Sequence, residues 1–310
     1  MKIAVVGTGA LGSLYAGYLA RSGEEVYAID IKEDIISAIR SSGIRIVEPE
    51  GNEVSIPVKK ATLKPEEVGK LDLVILLPKS RQTQDAARSA RCLFGPETVG
   101  LTVQNGLGNA EAIEAIVGEG RILAGVTMNG STSLAPGRIL HGGRGETVIG
   151  EMRGGPSPRA EKIAAAFNKA GLSTHVSSEV WNDVWGKLLV NVGVNALTAI
   201  TRLRNGLVVK HPEARNILKR SVEEAERVAR AKGIRLPFEN AAQKVENACL
   251  TTKANFSSML QDVLSQRETE VDFINGAVVR EGEKLGIETP VNRVLTYLVK
   301  TLEKTYAVRA

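Results

Sequence analysis

Apolar positions in the first half of the chain fall into short runs broken by turn residues. Residues 2–6 (KIAVV) form such a run, whose length and β-branched content predict a buried strand. GTGALG follows, and SLYAGYLARSG then carries apolar residues at helical spacing as far as Gly23. EEVYAID predicts a second strand and residues 32–42 a second helix, giving a strand–turn–helix–strand βαβ unit. GIRIVEPEGNEVSIPV alternates about PEGN and predicts a hairpin. LDLVILLPK predicts a further buried strand, followed by a helix over residues 82–92. TVGLTVQNGLGN reads as a strand and a glycine-rich turn, RILAGVTM as another strand, and GRILHGGRGETVIG as a closing antiparallel hairpin. Ser157 and Pro158 mark a helix start.

From Val180 onward the strand pattern stops. Helical spacing predicts segments at 180–202, 211–232, 238–250, 256–267, 269–286 and 291–306, with TRLRNG as the C-terminal turn of the first, a place that suits Gly206. The expected fold class is therefore α/β: an N-terminal Rossmann-type dinucleotide-binding domain over residues 1–178, then an all-helical, substrate-binding domain over residues 179–310. One helical segment breaks the usual pattern. GKLLVNVGVN, residues 186–195, is apolar all round, which predicts burial, yet carries Lys187, Asn191 and Asn195 four apart. That spacing puts them on one helix face. Buried polar groups are costly without partners, so something must meet that stripe.

Gly7, Gly9 and Gly12 make G-x-G-x-x-G between the first strand and first helix, with Thr8, Ala10 and Leu11 filling the loop. Gly7 permits the tight turn, Gly9 lets a pyrophosphate approach the backbone, and Gly12 lets helix and strand pack closely. The helix N-terminus then offers free N–H groups to phosphate. The spacing predicts dinucleotide binding. Asp30 closes the second strand 18 residues after Gly12. A carboxylate there accepts from the adenosine ribose hydroxyls and repels a 2′-phosphate, favouring NADH over NADPH within an NAD(P)H reading. Lys32 nearby argues the other way, and a capping role for Asp30 is the plain alternative.

Composition narrows the picture. Of 310 residues 43% are hydrophobic and only 4% aromatic, so aliphatic packing dominates. The net charge of +5 is spread among interleaved acids and bases, with no basic run of the kind that binds nucleic acid. It suits anionic small molecules. The two cysteines and three histidines are scattered, so neither a disulfide framework nor a metal site is expected. No stretch approaches the ~18 consecutive apolar residues of a membrane span. A cytoplasmic protein with no membrane partner is expected, and the amphipathic segments 211–232 and 291–306 suggest a homodimer.

A hydride acceptor needs, besides the nicotinamide, a proton donor and stabilisation of the charge that develops on its carbonyl oxygen. No histidine is placed for this, whereas a lysine of ordinary pKa, ~10.4, is protonated at neutral pH. Lys187 fits, though a lysine snorkelling beside two core asparagines is an equally simple reading of the stripe. The C-terminal half adds NFSSMLQDVLSQRETEVDFINGAVV, with Asn255, Ser258, Asp262 and Glu270.

Through these residues the chain resembles the ketopantoate reductases (2-dehydropantoate 2-reductases). WGKLLVNVGVNALTAITRLRNG, SSMLQD and TEVDFINGAVV carry the resemblance, which extends to the opening glycine loop, LVILLPKSRQT and TVQNGLGN. It implies reduction of 2-dehydropantoate to (R)-pantoate in pantothenate and coenzyme A synthesis, with Lys187 as proton donor. It further implies that Asn105, Asn191, Asn195, Asn205, Asn255 and Ser258 hold the substrate. Glu270 is implied beside both reacting centre and cofactor, Asn105 between nicotinamide and substrate, and Lys79 and Ser131 on the cofactor side. Two departures stand out. Ile31 occupies the place where many relatives carry an arginine for the 2′-phosphate, and Pro78 precedes the lysine of LLPKS. The alternatives are another two-domain β-hydroxyacid or polyol-phosphate dehydrogenase, or an NAD-binding regulator sharing only the first domain.

Overall fold

The computed structural model describes residues 1–308, and the chain divides into two compact units. Unit 1 comprises Met1–Gln104 and Asn109–Val180; unit 2 comprises Asn105–Gly108 and the chain from Trp181 onward. Unit 1 is α/β. Its strands are β1 (Lys2–Val6), β2 (Glu25–Ile29), β3 (Ile44–Val47), β4 (Glu53–Ile56), β5 (Lys60–Thr62), β6 (Leu73–Leu76), β7 (Val99–Thr102), β8 (Ile122–Thr127), β9 (Gly130–Ala135), β10 (Arg138–Gly143), β11 (Thr147–Glu151) and β12 (Thr174–Val176). Its helices are α1 (Ala10–Arg21), α2 (Glu33–Ser42), α3 (Thr83–Ala90), α4 (Asn109–Val117) and α5 (Pro158–Lys169).

The main sheet runs β12-β11-β8-β7-β6-β1-β2-β5, and β4-β3-β10-β9 form a second sheet. β1 pairs in parallel with β2 on one side and β6 on the other, with Val6 opposite both Ile29 and Leu76. The chain therefore leaves the carboxyl ends of these three strands side by side, at Gly7, Asp30 and Leu77, where strand order reverses. The buried, branched residues of β1 and β6 (Ile3, Val5, Leu73, Ile75) pack with Leu14, Tyr15 and Leu19 of α1. Gly17 lets the second sheet close onto α1: a Cβ there would lie 2.7 Å from Ile46 Cδ1.

The expected hairpin over GRILHGGRGETVIG does not form. β10 pairs with β9 and β3 in the small sheet, whereas β11 pairs with β8 and β12 in the large one. Alternation marks both segments as strands but says nothing of their partners. The intervening turn hooks onto the end of β8 instead, with Met128 N–H donating to Glu146 O at 2.8 Å.

Unit 2 is helical among the described residues: α6 (Val180–Thr201, entering from unit 1), α7 (Asn205–Val208), α8 (Pro212–Ala231), α9 (Ala241–Thr251), α10 (Ser258–Leu264), α11 (Asn275–Leu285) and α12 (Pro290–Lys304). α6 buries Trp185, Leu188, Leu189, Val192, Val194 and Leu197, each stabilising by roughly 1.5–3 kcal/mol. Gly193 allows close approach: a Cβ would sit 2.8 Å from Val222 of α8 and from Val245 of α9. By length and composition α6 is apolar enough to cross a bilayer, and 72% of its most apolar window is buried within the protein.

Three local expectations fail here. α6 ends through Arg202, which takes the left-handed φ of +59°, and not through Gly206. Gly206 lies inside α7, where a Cβ would meet Lys253 Cβ at 2.5 Å. The single helix expected over 269–286 is broken into a tight turn, Val271–Phe273, and α11, and the helix expected over 256–267 shortens to α10.

Candidate active site

The glycine loop has the geometry of a phosphate seat. Gly7 takes φ +88°, and a Cβ there would lie 2.6 Å from Pro78 N. A Cβ at Gly12 would lie 2.0 Å from Gly7 O, so only glycine lets α1 start against the turn. Nothing lies within 4 Å of a Cβ built on Gly9, so its outer side is open to an approaching group. No side chain caps the α1 N-terminus. The loop thus fits a dinucleotide pyrophosphate: room at Gly9, with the N–H groups and positive dipole end of α1 beside it.

Asp30 is 9% exposed and accepts from Thr8 Oγ1 at 3.3 Å and from the Lys32 N–H at 3.1 Å. It is not the N-cap of α2; Lys32 holds that position without a side-chain bond. Ile31 is 76% exposed. Lys79 lies exposed just beyond β6, and Ser131 stands on β9 in the small sheet. Pro78 O accepts from Gln104 Nε2 at 2.7 Å, so the loop after β6 is tied to the strand beside it despite the proline.

In unit 2 the polar stripe finds its first partner. Lys187 Nζ donates to Asn105 Oδ1 at 2.8 Å, and Asn105 Nδ2 donates to Glu270 Oε2 at 3.4 Å. Three expected site residues, 82 and 165 positions apart in sequence, thus form one chain. The backbone explains how. Gly106 takes φ +85°, where a Cβ would strike Phe273 O at 2.2 Å, and Leu107 N–H donates to that same carbonyl at 2.9 Å. The QNG turn is therefore hooked onto the turn that Glu270 opens.

Lys187 keeps some surface but is crowded by protein. Burial lowers its pKa from the ordinary 10.5 to about 8, with Glu270 opposing that shift. This corrects the ordinary value assumed from sequence. An ammonium so placed is still mostly charged at neutral pH, yet gives up its proton far more readily.

Two of the other amides each keep one buried atom without a protein partner. Asn195 Nδ2 is buried with no hydrogen-bond partner. Asn205 Nδ2 donates to Thr252 Oγ1 at 2.9 Å, while its buried Oδ1 has none. An unpaired buried polar atom costs about 1–3 kcal/mol, which a bound polar ligand recovers. Asn191, half-buried, is on the same face of α6. Asn255 is exposed, and its carbonyl accepts from Asn205 N–H at 3.1 Å, joining the two loops. Ser258 is exposed as the first residue of α10.

Several supporting residues were not singled out in the sequence. Ser257 caps α10 and bonds Thr198 Oγ1 of α6 at 2.7 Å. Asn275 donates from Nδ2 to Val192 O of α6 at 3.1 Å and to Asn292 Oδ1 at 2.9 Å. Glu224 in turn accepts the N–H groups of Val291 and Asn292, closing the N-terminus of α12. The only available signal was polar residues inside apolar runs, as at Asn275 in FINGAVV.

Comparison with known proteins bears on the whole chain. Residues 3–154 match the family model described as ketopantoate reductase PanE/ApbA, and residues 179–303 match its C-terminal counterpart, ketopantoate reductase PanE/ApbA C terminal. A 2-dehydropantoate 2-reductase of Halobacterium salinarum is 37% identical over 307 residues, covering 98% of this chain and 99% of that one. A PanE/ApbA family ketopantoate reductase from Ralstonia eutropha is similar in structure, with TM-score 0.91 and 34% identity over 98% of this chain and 99% of the other. A D-mandelate dehydrogenase solved with NADH and anilino(oxo)acetate has TM-score 0.93 and 30% identity, covering 98% and 99%.

Proposed function

The chain belongs to the ketopantoate reductase family and is an oxidoreductase using a nicotinamide dinucleotide, and from that premise we propose that it reduces 2-dehydropantoate to (R)-pantoate with Lys187 as proton donor. The observation that carries this reading is the Lys187–Asn105–Glu270 chain, with a crowded ammonium of pKa about 8 at its head.

When bound, the nicotinamide supplies the hydride. The residues that would hold the dinucleotide are Gly7 to Gly12, Asp30, Lys79 and Ser131. Lys187 neutralises the oxygen that becomes negative and delivers the proton to it. At pH 7 an acid of pKa 8 is roughly nine-tenths protonated, while its lower pKa makes transfer to an alkoxide easier than from an ordinary lysine. Asn105 orients the ammonium by accepting one of its three protons, and Glu270 steadies the charge through Asn105. Asn191, Asn195, Asn205, Asn255 and Ser258 would hold the carboxylate and 4-hydroxyl of the keto acid. The unpaired Asn195 Nδ2 and Asn205 Oδ1 are a donor and an acceptor suited to those groups.

The finer reading is NADH over NADPH. It rests on the buried Asp30 carboxylate closing β2 and on Ile31 where a phosphate-binding cation would otherwise stand. The NADH-bound D-mandelate dehydrogenase supports it, and equally supports a second reading, reduction of other bulky 2-oxo acids. Both are tested by following nicotinamide absorbance with 2-dehydropantoate and with phenyl-substituted 2-oxo acids, each with NADH and NADPH. Absence of turnover with 2-dehydropantoate would sink the main reading, and a higher kcat/KM with NADPH the coenzyme preference. The same reading carries a cytoplasmic enzyme acting as a homodimer on a small molecule, the dimer being checked by sedimentation velocity.

A further inference from the structure

A second group of titratable side chains lies in unit 1, in a role the reaction does not use. His141 of β10 is 1% exposed, and Glu48, just after β3, is 4% exposed. Tyr18 of α1 joins them: its hydroxyl donates to Glu48 Oε2 at 2.5 Å and lies 2.8 Å from His141 Nδ1. On the other side, His141 Nε2 lies 3.3 Å from Asn129 Oδ1.

The proton count decides what His141 must be. Arg21 Nη1 donates to Glu48 Oε1 at 2.7 Å and Arg144 stands 3.7 Å from Oε2; against the cost of burial, the Tyr18 hydroxyl and the Arg21 guanidinium hold Glu48 below the usual carboxylate range. An ionised Glu48 takes the single hydroxyl proton of Tyr18. The Tyr18 oxygen is then an acceptor toward Nδ1. Asn129 cannot be turned to offer its amine to Nε2: its Oδ1 accepts from Gly145 N–H at 3.1 Å, and its Nδ2 donates to Thr127 Oγ1 at 3.0 Å. Both ring nitrogens thus face acceptors, and a neutral imidazole, with one N–H, would set a lone pair against one of them.

Burial of the ring, aided by Arg144, outweighs the opposing pull of Glu48 at 3.9 Å and of the Gly143 carbonyl, so desolvation and charge taken alone hold the imidazole below its ordinary pKa. Those influences do not address which nitrogen carries hydrogen; the contacts do. Glu50, the remaining charge at this cluster, is occupied by Arg144. Tyr15, joined to the same region through Thr147, is neutral and held so by burial.

We propose that His141 is a resident imidazolium, paired with Glu48 through the Tyr18 hydroxyl, and that this trapped proton clasps α1 to the small sheet. The clasp is alkaline-sensitive. Its contribution is complete below the ordinary histidine pKa and is lost as pH rises through the raised folded value. On discharge, the one Tyr18 proton must serve two acceptors. α1, which begins at the glycine loop, loses a fastening, so coenzyme affinity falls over the same pH interval.

The test uses the full chain carrying His175→Gln and His211→Gln, both at exposed positions, which leaves His141 as the single histidine. With ring-15N histidine, the expected result at pH 7.5 is two slowly exchanging ring N–H signals. The midpoint should lie above that of an unstructured histidine peptide titrated alongside. A ring with one N–H at pH 7.5 overturns the proposal. Glu48→Gln and Tyr18→Phe should each return the ring to the neutral form at that pH; retention of both protons in either variant overturns the pairing. Coenzyme titration by fluorescence should weaken about the same midpoint, and affinity unchanged across it overturns the clasp.

Discussion

Glu270→Gln isolates one electrostatic contribution at the candidate site. The amide keeps an oxygen to accept from Asn105 Nδ2, so the Lys187–Asn105–residue 270 chain persists while the negative charge is removed. The two short contacts bracket one side-chain amide, which sets ammonium and carboxylate within roughly 8 Å; at an effective dielectric of about 20 their attraction is on the order of 2 kcal/mol. Glu270 is partly exposed, and screening trims this to a little over 1 kcal/mol, or about one pKa unit. Glu270 raises the Lys187 pKa, so its removal should drop the value from about 8 to roughly 7. Reduction needs the protonated amine, so activity falls as pH climbs through that pKa. Measured as kcat/KM for the keto acid at saturating coenzyme, the alkaline limb should move about one unit toward acid. The variant should nearly match wild type at pH 6, trail it about fivefold at pH 8 and about tenfold at pH 9. In the oxidation of pantoate, which needs the neutral amine, the rising limb should shift the same way. Coincident midpoints, or a deficit of constant size at every pH, would refute the electrostatic coupling.

Further tests follow from the same geometry. Lys187→Met should lower kcat by about 10²–10⁴. It should also raise stability at pH 7 by about 3 kcal/mol in urea unfolding, because a depressed folded-state pKa penalises folding below pH 8 and the penalty fades only as pH rises from 8 toward 10.5; equal midpoints would contradict the burial argument. Asp30→Ser with Ile31→Arg should shift the NADPH-to-NADH ratio of kcat/KM by about 10- to 100-fold toward NADPH, and an unmoved ratio would remove Asp30 from coenzyme choice. Gly9→Ala meets nothing within 4 Å and has an ordinary φ of −64°, so it should melt like wild type yet bind coenzyme weakly. Gly12→Ala, forced to 2.0 Å from Gly7 O, should lose roughly 3 kcal/mol or more of stability.

What the chain announces locally, it announces well. The first strand, glycine turn and helix were readable because each obeys a short-range rule: β-branched run, left-handed glycine, helical spacing. The Lys187, Asn191 and Asn195 stripe was readable for the same reason, as period and polarity disagree there. Ser157 and Pro158 likewise open α5 as expected. Reading stopped where a residue's surroundings come from elsewhere in the chain. Alternation identified β10 and β11 as strands but not their separate sheets, because hydrogen-bonding edges are chosen by the whole fold. Gly206 was read as a helix stop when its smallness serves the passage of Lys253 instead.

Local pattern alone was enough to mark a glycine turn between strand and helix, an acid at the end of β2, and an apolar helix with one polar face. Tertiary structure alone decided that Asn105 stands between Lys187 and Glu270, and that the amine titrates near 8 and not near 10.5. The reason is physical: spacing within one helix is set by bonds along the chain, whereas desolvation and charge pairing depend on what distant segments bring alongside.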